Sequence, residues 1–191
     1  MKAALTTCFL IAAGIGLGGG SRAAEEFKLE EGYTSLFNGK DLTGWTYGKD
    51  KDKMDDKTAT PDKRIEVRDG VILVNEGKGI MDLYTAREFN KDFHLLLEFR
   101  AAPKADSGLY IRGKQLQVRD YPTVGPYKNL KHFRDGDWNV LEITVKGTEA
   151  LCKCNDEVVE MAFKVPAKGA IGLQAEVGKF EFRRIRIKEM P

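Results

Sequence analysis

The 191-residue chain is poor in the side chains that most often carry chemistry, with 2 histidines and 3 cysteines. So few imidazoles leave a Ser-His-Asp arrangement little room to form. His94 reads as a strand-face residue and His132 as a loop residue. No phosphate-binding glycine loop follows a strand-like segment, no HExxH run is present, and Ser107 lacks the strand–turn–helix setting of a nucleophile elbow. Long hydrophobic runs are also missing. The apolar run "FLIAAGIGL" near the start falls far short of the roughly 20 residues that span a bilayer.

That run fits a targeting segment instead. Lys2 supplies a positive n-region, and Ser21 and Ala23 form a small-x-small site before Ala24. Residues 1–23 are therefore expected to be a signal peptide, and residues 24–191 a single exported domain, periplasmic or extracellular. Removing Lys2 and Arg22 takes the formal charge from +2 to zero. Neutrality argues against a nucleic-acid partner, whose phosphates call for a basic surface. Cys152 and Cys154 then remain, two apart in the strand-like "ALCKCNDEVV", with both side chains on one face. A bridge between them would strain a regular strand, so two reduced thiols are expected. The pair alone offers too few ligands for a metal.

What the sequence does have is alternation. "DFHLLLEFR" puts Phe93, Leu95, Leu97 and Phe99 on one face and His94, Leu96, Glu98 and Arg100 on the other. "IEVRDGVILV" predicts a hairpin turning at Asp69-Gly70, a pair suited to positive φ. "WNVLEITVKGTEALCKCNDEVVEMAF" predicts three strands and "GAIGLQAEVGKFEFRRIRIKEM" two more. No segment carries a capped stripe of helical period. Many short strands with frequent turns predict an all-β sandwich or barrel. Residues 48–64 break the pattern and read as one solvated surface loop. Asp50 and Asp52 resemble the opening of a calcium loop, but Met54 and Asp55 stand where an acceptor and glycine are needed.

"DSGLYIRGKQLQVRD" is the most informative stretch. Around a turn at Gly113-Lys114, Leu109, Ile111, Leu116 and Val118 share one parity, and Tyr110, Arg112, Gln115, Gln117 and Arg119 the other. With Glu98, Arg100 and Gln174 leaving the polar side of their own strands, one shared patch is expected, because sequence neighbours usually pack together. Amides and guanidinium groups offer fixed donors and acceptors, and a tyrosine ring offers a flat apolar surface. That mixture suits a sugar.

The order of "YTSLFNGKDLTGW", "DFHLLLEFR", "DSGLYIRG", "GDWNVLEITVKG" and "FEFRRIRIKE" resembles the 3-keto-disaccharide hydrolase family over about residues 33–189. The resemblance implies a concanavalin-like jelly-roll of two antiparallel sheets, export in bacteria, and a 3-keto sugar as the small-molecule partner. It implies cleavage by C2 deprotonation and β-elimination, hydration of the enone, or both. A divalent metal ion would be one way to polarise the ketone. Ser107, Gly108, Arg112, Gln117, Asp120 and Gln174 match the family's motifs, and Gly125 and Tyr127 its following loop. Asp106 replaces the usual Asn, Gln115 the usual Glu, and Glu176 stands near the usual His. The remaining carboxylates Glu98, Asp106 and Glu176 are the expected catalytic groups, Glu98 first. Arg100, Tyr110, Arg112, Gln115, Gln117, Asp120, Tyr127 and Gln174 are the expected substrate-binding set. The loop "YPTVGPYKN" brings Tyr121 and Tyr127 toward the patch. Trp45 and Trp138 match family positions and read as core or turn anchors. A non-catalytic sugar-binding module and a purely structural sandwich remain the alternatives.

Overall fold

A computed structural model describes residues 27–49 and 51–191. The expected signal peptide at residues 1–23, with its cleavage site, and Asp50 lie outside the described residues. In chain order the strands are β1 (Thr34–Ser35), β2 (Trp45–Tyr47), β3 (Asp52–Lys53), β4 (Ile65–Arg68), β5 (Val71–Val74), β6 (Met81–Phe89) and β7 (Phe93–Ala101). They continue with β8 (Asp106–Ile111), β9 (Lys114–Arg119), β10 (Asn139–Lys146), β11 (Glu149–Cys154), β12 (Glu157–Lys164), β13 (Gly169–Ala175) and β14 (Phe180–Glu189). One sheet runs β12-β11-β10-β7-β14-β5-β4, with β1 on β14, and the other β3-β2-β6-β13-β8-β9. Every pairing is antiparallel, and the two sheets form the jelly-roll sandwich that the alternation and the resemblance predict. No helix among the described residues is long and apolar enough to cross a membrane.

Parity decides what the sandwich buries. Phe93, Leu95, Leu97 and Phe99 of β7 have no exposed surface, and neither do Leu109, Ile111 and Val118 of the facing sheet. Their neighbours at odd spacing point outward on both sheets. Trp45 and Tyr121 fill the same core, the indole donating from Nε1 to the Leu36 carbonyl at 2.8 Å. Cys152 and Cys154 are buried free thiols, and burial pushes both up to about 12, which keeps them protonated and inert.

Turn chemistry sets the hairpins. Asp69 and Gly70 take φ of 50° and 76°, the left-handed pair of a two-residue turn between β4 and β5. The β8–β9 turn sits one residue earlier than its sequence suggests: Ile111 pairs with Lys114, and Arg112 and Gly113 hold the positive φ values of 52° and 84°. Residues 48–64 also depart from a solvated loop. The segment folds back as β3 against β2, and Met54 is fully buried with its amide donating to the Trp45 carbonyl at 3.0 Å. One apolar residue among charges leaves no periodic trace, yet it is enough to anchor the return.

Candidate active site on the six-stranded sheet

The outer face of the six-stranded sheet gathers polar groups from four strands. Gly172 of β13 is in register with Tyr84 of β6 on one side and Tyr110 of β8 on the other, and Tyr110 pairs with Gln115 of β9. One step along, Gln174 faces Asp82, and Gly108 faces Gln117. Asp106 and Arg119 form the next pair. Two glycines make the floor possible. A Cβ at Gly172 would lie 2.5 Å from Tyr84 Cδ1, and one at Gly108 would lie 2.7 Å from Gln115 Cγ. Without those atoms the tyrosine rings meet across the gap, centroids 5.2 Å apart, and Gln115 lies down over its neighbour.

A hydrogen-bonded relay crosses this floor. Gln115 Nε2 donates to Gln174 Oε1 at 2.8 Å, and Gln174 Nε2 donates to the Tyr110 hydroxyl at 3.3 Å. The Tyr84 hydroxyl donates to Asp82 Oδ2 at 3.0 Å, while Asp82 Oδ1 is buried without a partner. Arg119 Nε donates to Gln117 Oε1 at 3.2 Å and lies 3.2 Å from Asp106 Oδ1. Gly125 lets the following loop press on the Arg119 stem, where a Cβ would come within 2.4 Å of Cδ.

Burial tunes the acids. It raises Asp82 above the usual aspartate range despite the Tyr84 bond that opposes the shift. It raises Asp106, with the Arg119 charge partly offsetting it. Glu176 is raised first by burial and then by repulsion from Asp106. Tyr84 and Tyr110 are raised by burial and by the Asp82 charge, so both phenols remain donors. Three carboxylates with strengthened proton affinity stand beside protonated phenols and a guanidinium, an arrangement suited to acid–base chemistry. Among the described residues, no three His, Cys, Asp or Glu side chains are grouped so as to hold a metal ion. Asp82 and Tyr84 also form one wall of an adjoining cleft of about 630 Å³.

The expected site residues divide. Tyr110, Gln115, Gln117, Gln174, Asp106 and Glu176 belong to this region. Glu98 and Arg100 do not: β7 lies in the eight-stranded sheet, and both side chains leave the opposite outer face of the sandwich. The chain changes sheets between β7 and β8, so the two most suggestive strands are sequence neighbours but not spatial ones. Glu98 accepts from Arg183 Nε at 2.7 Å and Arg184 Nη1 at 2.9 Å, and Arg100 pairs with Glu181. Arg183 and Arg100 stack on Trp138, with guanidinium carbons 3.8 and 4.9 Å from the ring.

Three further residues serve the scaffold. Arg112, 2% exposed, turns away from the floor and donates to the carbonyls of Lys91 at 2.6 Å, Gly147 at 2.7 Å and Pro166 at 3.2 Å. Asp120 Oδ2 accepts from the Lys104 amide at 2.7 Å, pinning the turn that leads into β8. Tyr127 donates to Glu160 and packs edge-on against Tyr121, so the loop they share anchors in the core. His94 is held between Tyr33 and Glu142 on the other sheet. Glu98→Gln is therefore expected to lower stability by about 1–2 kcal/mol through its arginine partners. Its kcat/KM should stay within about twofold of the parent's; denaturant titration and a turnover assay check both.

Asp82 and Tyr84 are the candidate site residues missed from sequence. "MDLYTAREF" places Leu83, Thr85, Arg87 and Phe89 on one parity, and the Thr and Arg interrupt the apolar run that marks β6.

A two-sheet jelly-roll with an amide, tyrosine and carboxylate floor is the class of carbohydrate-related sandwich proteins. Residues 32–188 match the 3-keto-alpha-glucoside-1,2-lyase-like domain, and the chain belongs to that family. A search among curated proteins gives no match. The fold is similar to a solved candidate glycosyl hydrolase of Parabacteroides distasonis ATCC 8503 (TM-score 0.65, 19% identity, covering 86% of this chain and 99% of that one). It is similar to the carbohydrate binding module CBM66 from Bacillus subtilis (TM-score 0.50, 13% identity, 77% of this chain and 96% of that one). The Emp47p carbohydrate recognition domain is a further likeness (TM-score 0.52, 14% identity, 86% of this chain and 100% of that one).

Proposed function

We propose that the chain is an exported enzyme that cleaves 3-keto-glycosides by elimination on the outer face of its six-stranded sheet. Family membership supports the substrate class. The observation that carries the reading is Asp82, a carboxylate whose Oδ1 has no partner and whose proton affinity burial has raised.

A ketone at C3 acidifies the C2 proton. Asp82 removes that proton, and the C–H electron pair moves into the C2–C3 bond as charge collects on the ketone oxygen. The Tyr110 hydroxyl, which accepts from Gln174 and keeps its own proton to give, and the Arg119 guanidinium stabilise that oxygen. The pair then returns to form the C1–C2 double bond as the C1–O bond breaks. Glu176, held protonated longer than an ordinary glutamate, gives its proton to the departing oxygen. Water adds to the enone at C1 with the acid and base roles reversed.

A non-catalytic sugar-binding module is the second reading, favoured by the Gln115–Gln174 amide pair where the family usually has a glutamate. A chromogenic 3-keto-glucoside separates the two. The enzyme reading expects aglycone release, measured with and without added divalent metal. Calorimetric binding without release under either condition would establish the module and remove the enzyme.

A further inference from the structure

Asp82 stands at a junction. On one side lies the floor of amides and tyrosines; on the other, the 630 Å³ cleft is rimmed by Lys49, Lys51 and Lys168, and its lining includes Arg112, whose guanidinium is taken up by backbone carbonyls. Such a volume falls within the roughly 300–1,000 Å³ of small-ligand sites. Two carboxylates line the cleft. Glu88 is taken by Lys168 at 2.8 Å, and Asp82 is bonded by Tyr84. No ion pair among the described residues engages Lys49 or Lys51.

Their position is built into the fold. Both lysines ride the β2–β3 hairpin, whose Gly48 amide donates to the Asp82 carbonyl at 3.1 Å, with Gly48 in the left-handed region at φ 72°. The hairpin tip is thus tied to the backbone of the residue that acts as base. Lys51 borders a second hollow beside Thr46 and Glu88, and Lys49 a third beside Asp52 and Asp62, so the two ammonium groups mark where three depressions meet. Asp62 is already engaged by Tyr47, Thr60 and the Arg64 amide.

We infer that this cleft is the leaving-group subsite and that it selects glycosides whose departing part carries an anionic group, a carboxylate or sulfate on a sugar or aryl ring. The assignment rests on the elimination reading for its direction, since the keto sugar then occupies the amide floor. Two solvent-exposed ammonium groups act here as point charges on flexible stems, a weak but additive preference. Their pull also weakens with salt.

Two unreactive disaccharides test it independently of turnover: glucose β-linked to glucose, and glucose β-linked to glucuronic acid. Calorimetric titration at low salt should show the acidic ligand binding roughly fivefold more tightly, the scale of two exposed ion pairs. Lys49→Ala/Lys51→Ala should bring the ratio to about one, as should salt near 1 M, where the Debye length shrinks to about 3 Å. Equal affinities in the parent protein, a preference that survives the double substitution, or binding of neither ligand would overturn the inference. Aglycone release from a neutral 3-keto-glucoside then shows separately whether the elimination reading stands.

Discussion

Asp82→Asn is expected to lower kcat/KM on a 3-keto-glucoside by between about 10² and 10⁴-fold, the usual worth of a positioned general base. The same substitution should make the protein more stable at neutral pH. The folded state raises the proton affinity of Asp82, chiefly through burial. Its contribution to stability is therefore full below the unfolded value near 3.9 and is lost as pH rises through the folded value. At pH 7 the ionised carboxylate is a cost, moderated by its partial exposure. An amide removes that cost and keeps an acceptor for the Tyr84 hydroxyl. Thermal unfolding should shift up by a few degrees at pH 7 and not at all at pH 3. Paired loss of turnover and gain of stability separates a functional carboxylate from a structural one, whose removal lowers both. For the parent protein, the proposed elimination expects kcat/KM to fall on the acid side through a pKa above the ordinary aspartate range.

Arg112→Met should cost about 3 kcal/mol, because it strips the donors from the carbonyls of Lys91, Gly147 and Pro166 at once. For a chain of this size that lowers the melting temperature by about 6–12 °C. Methionine also lacks the guanidinium whose carbon lies 5.4 Å from the Phe93 ring centroid, so the loss reports the hydrogen bonds together with that cation–π contact. Below the melting transition, KM for the keto sugar should match the parent's, since the guanidinium faces away from the floor. A raised KM at full folding would return Arg112 to the binding set.

Side-chain alternation made most of the fold legible. Leu109, Ile111, Leu116 and Val118 are buried, and the hairpin turns carry residues suited to positive φ. Tyr110, Gln115, Gln117 and Gln174 share a face because β8, β9 and β13 pair in register. The partition of strands between sheets was not legible. Nothing in "RAAPKAD" announces that the chain crosses from one sheet to the other there, so Glu98 and Arg100 were grouped with residues on the far side. β6 was obscured by Thr85 and Arg87 at positions where an apolar residue marks a core strand. That gap hid Asp82, the carboxylate that stands in register with Gln174. Arg112 misled for a related reason: its parity points outward, but a turn residue at φ 52° no longer obeys strand parity.

The most direct measurement of the account is deuterium incorporation at C2 of methyl 3-keto-glucoside in D2O, followed by NMR. The parent protein should exchange that proton far above the uncatalysed rate, and Asp82→Asn should exchange it at the background rate. Exchange by Asp82→Asn as fast as by the parent would contradict the account and move the base elsewhere in the molecule.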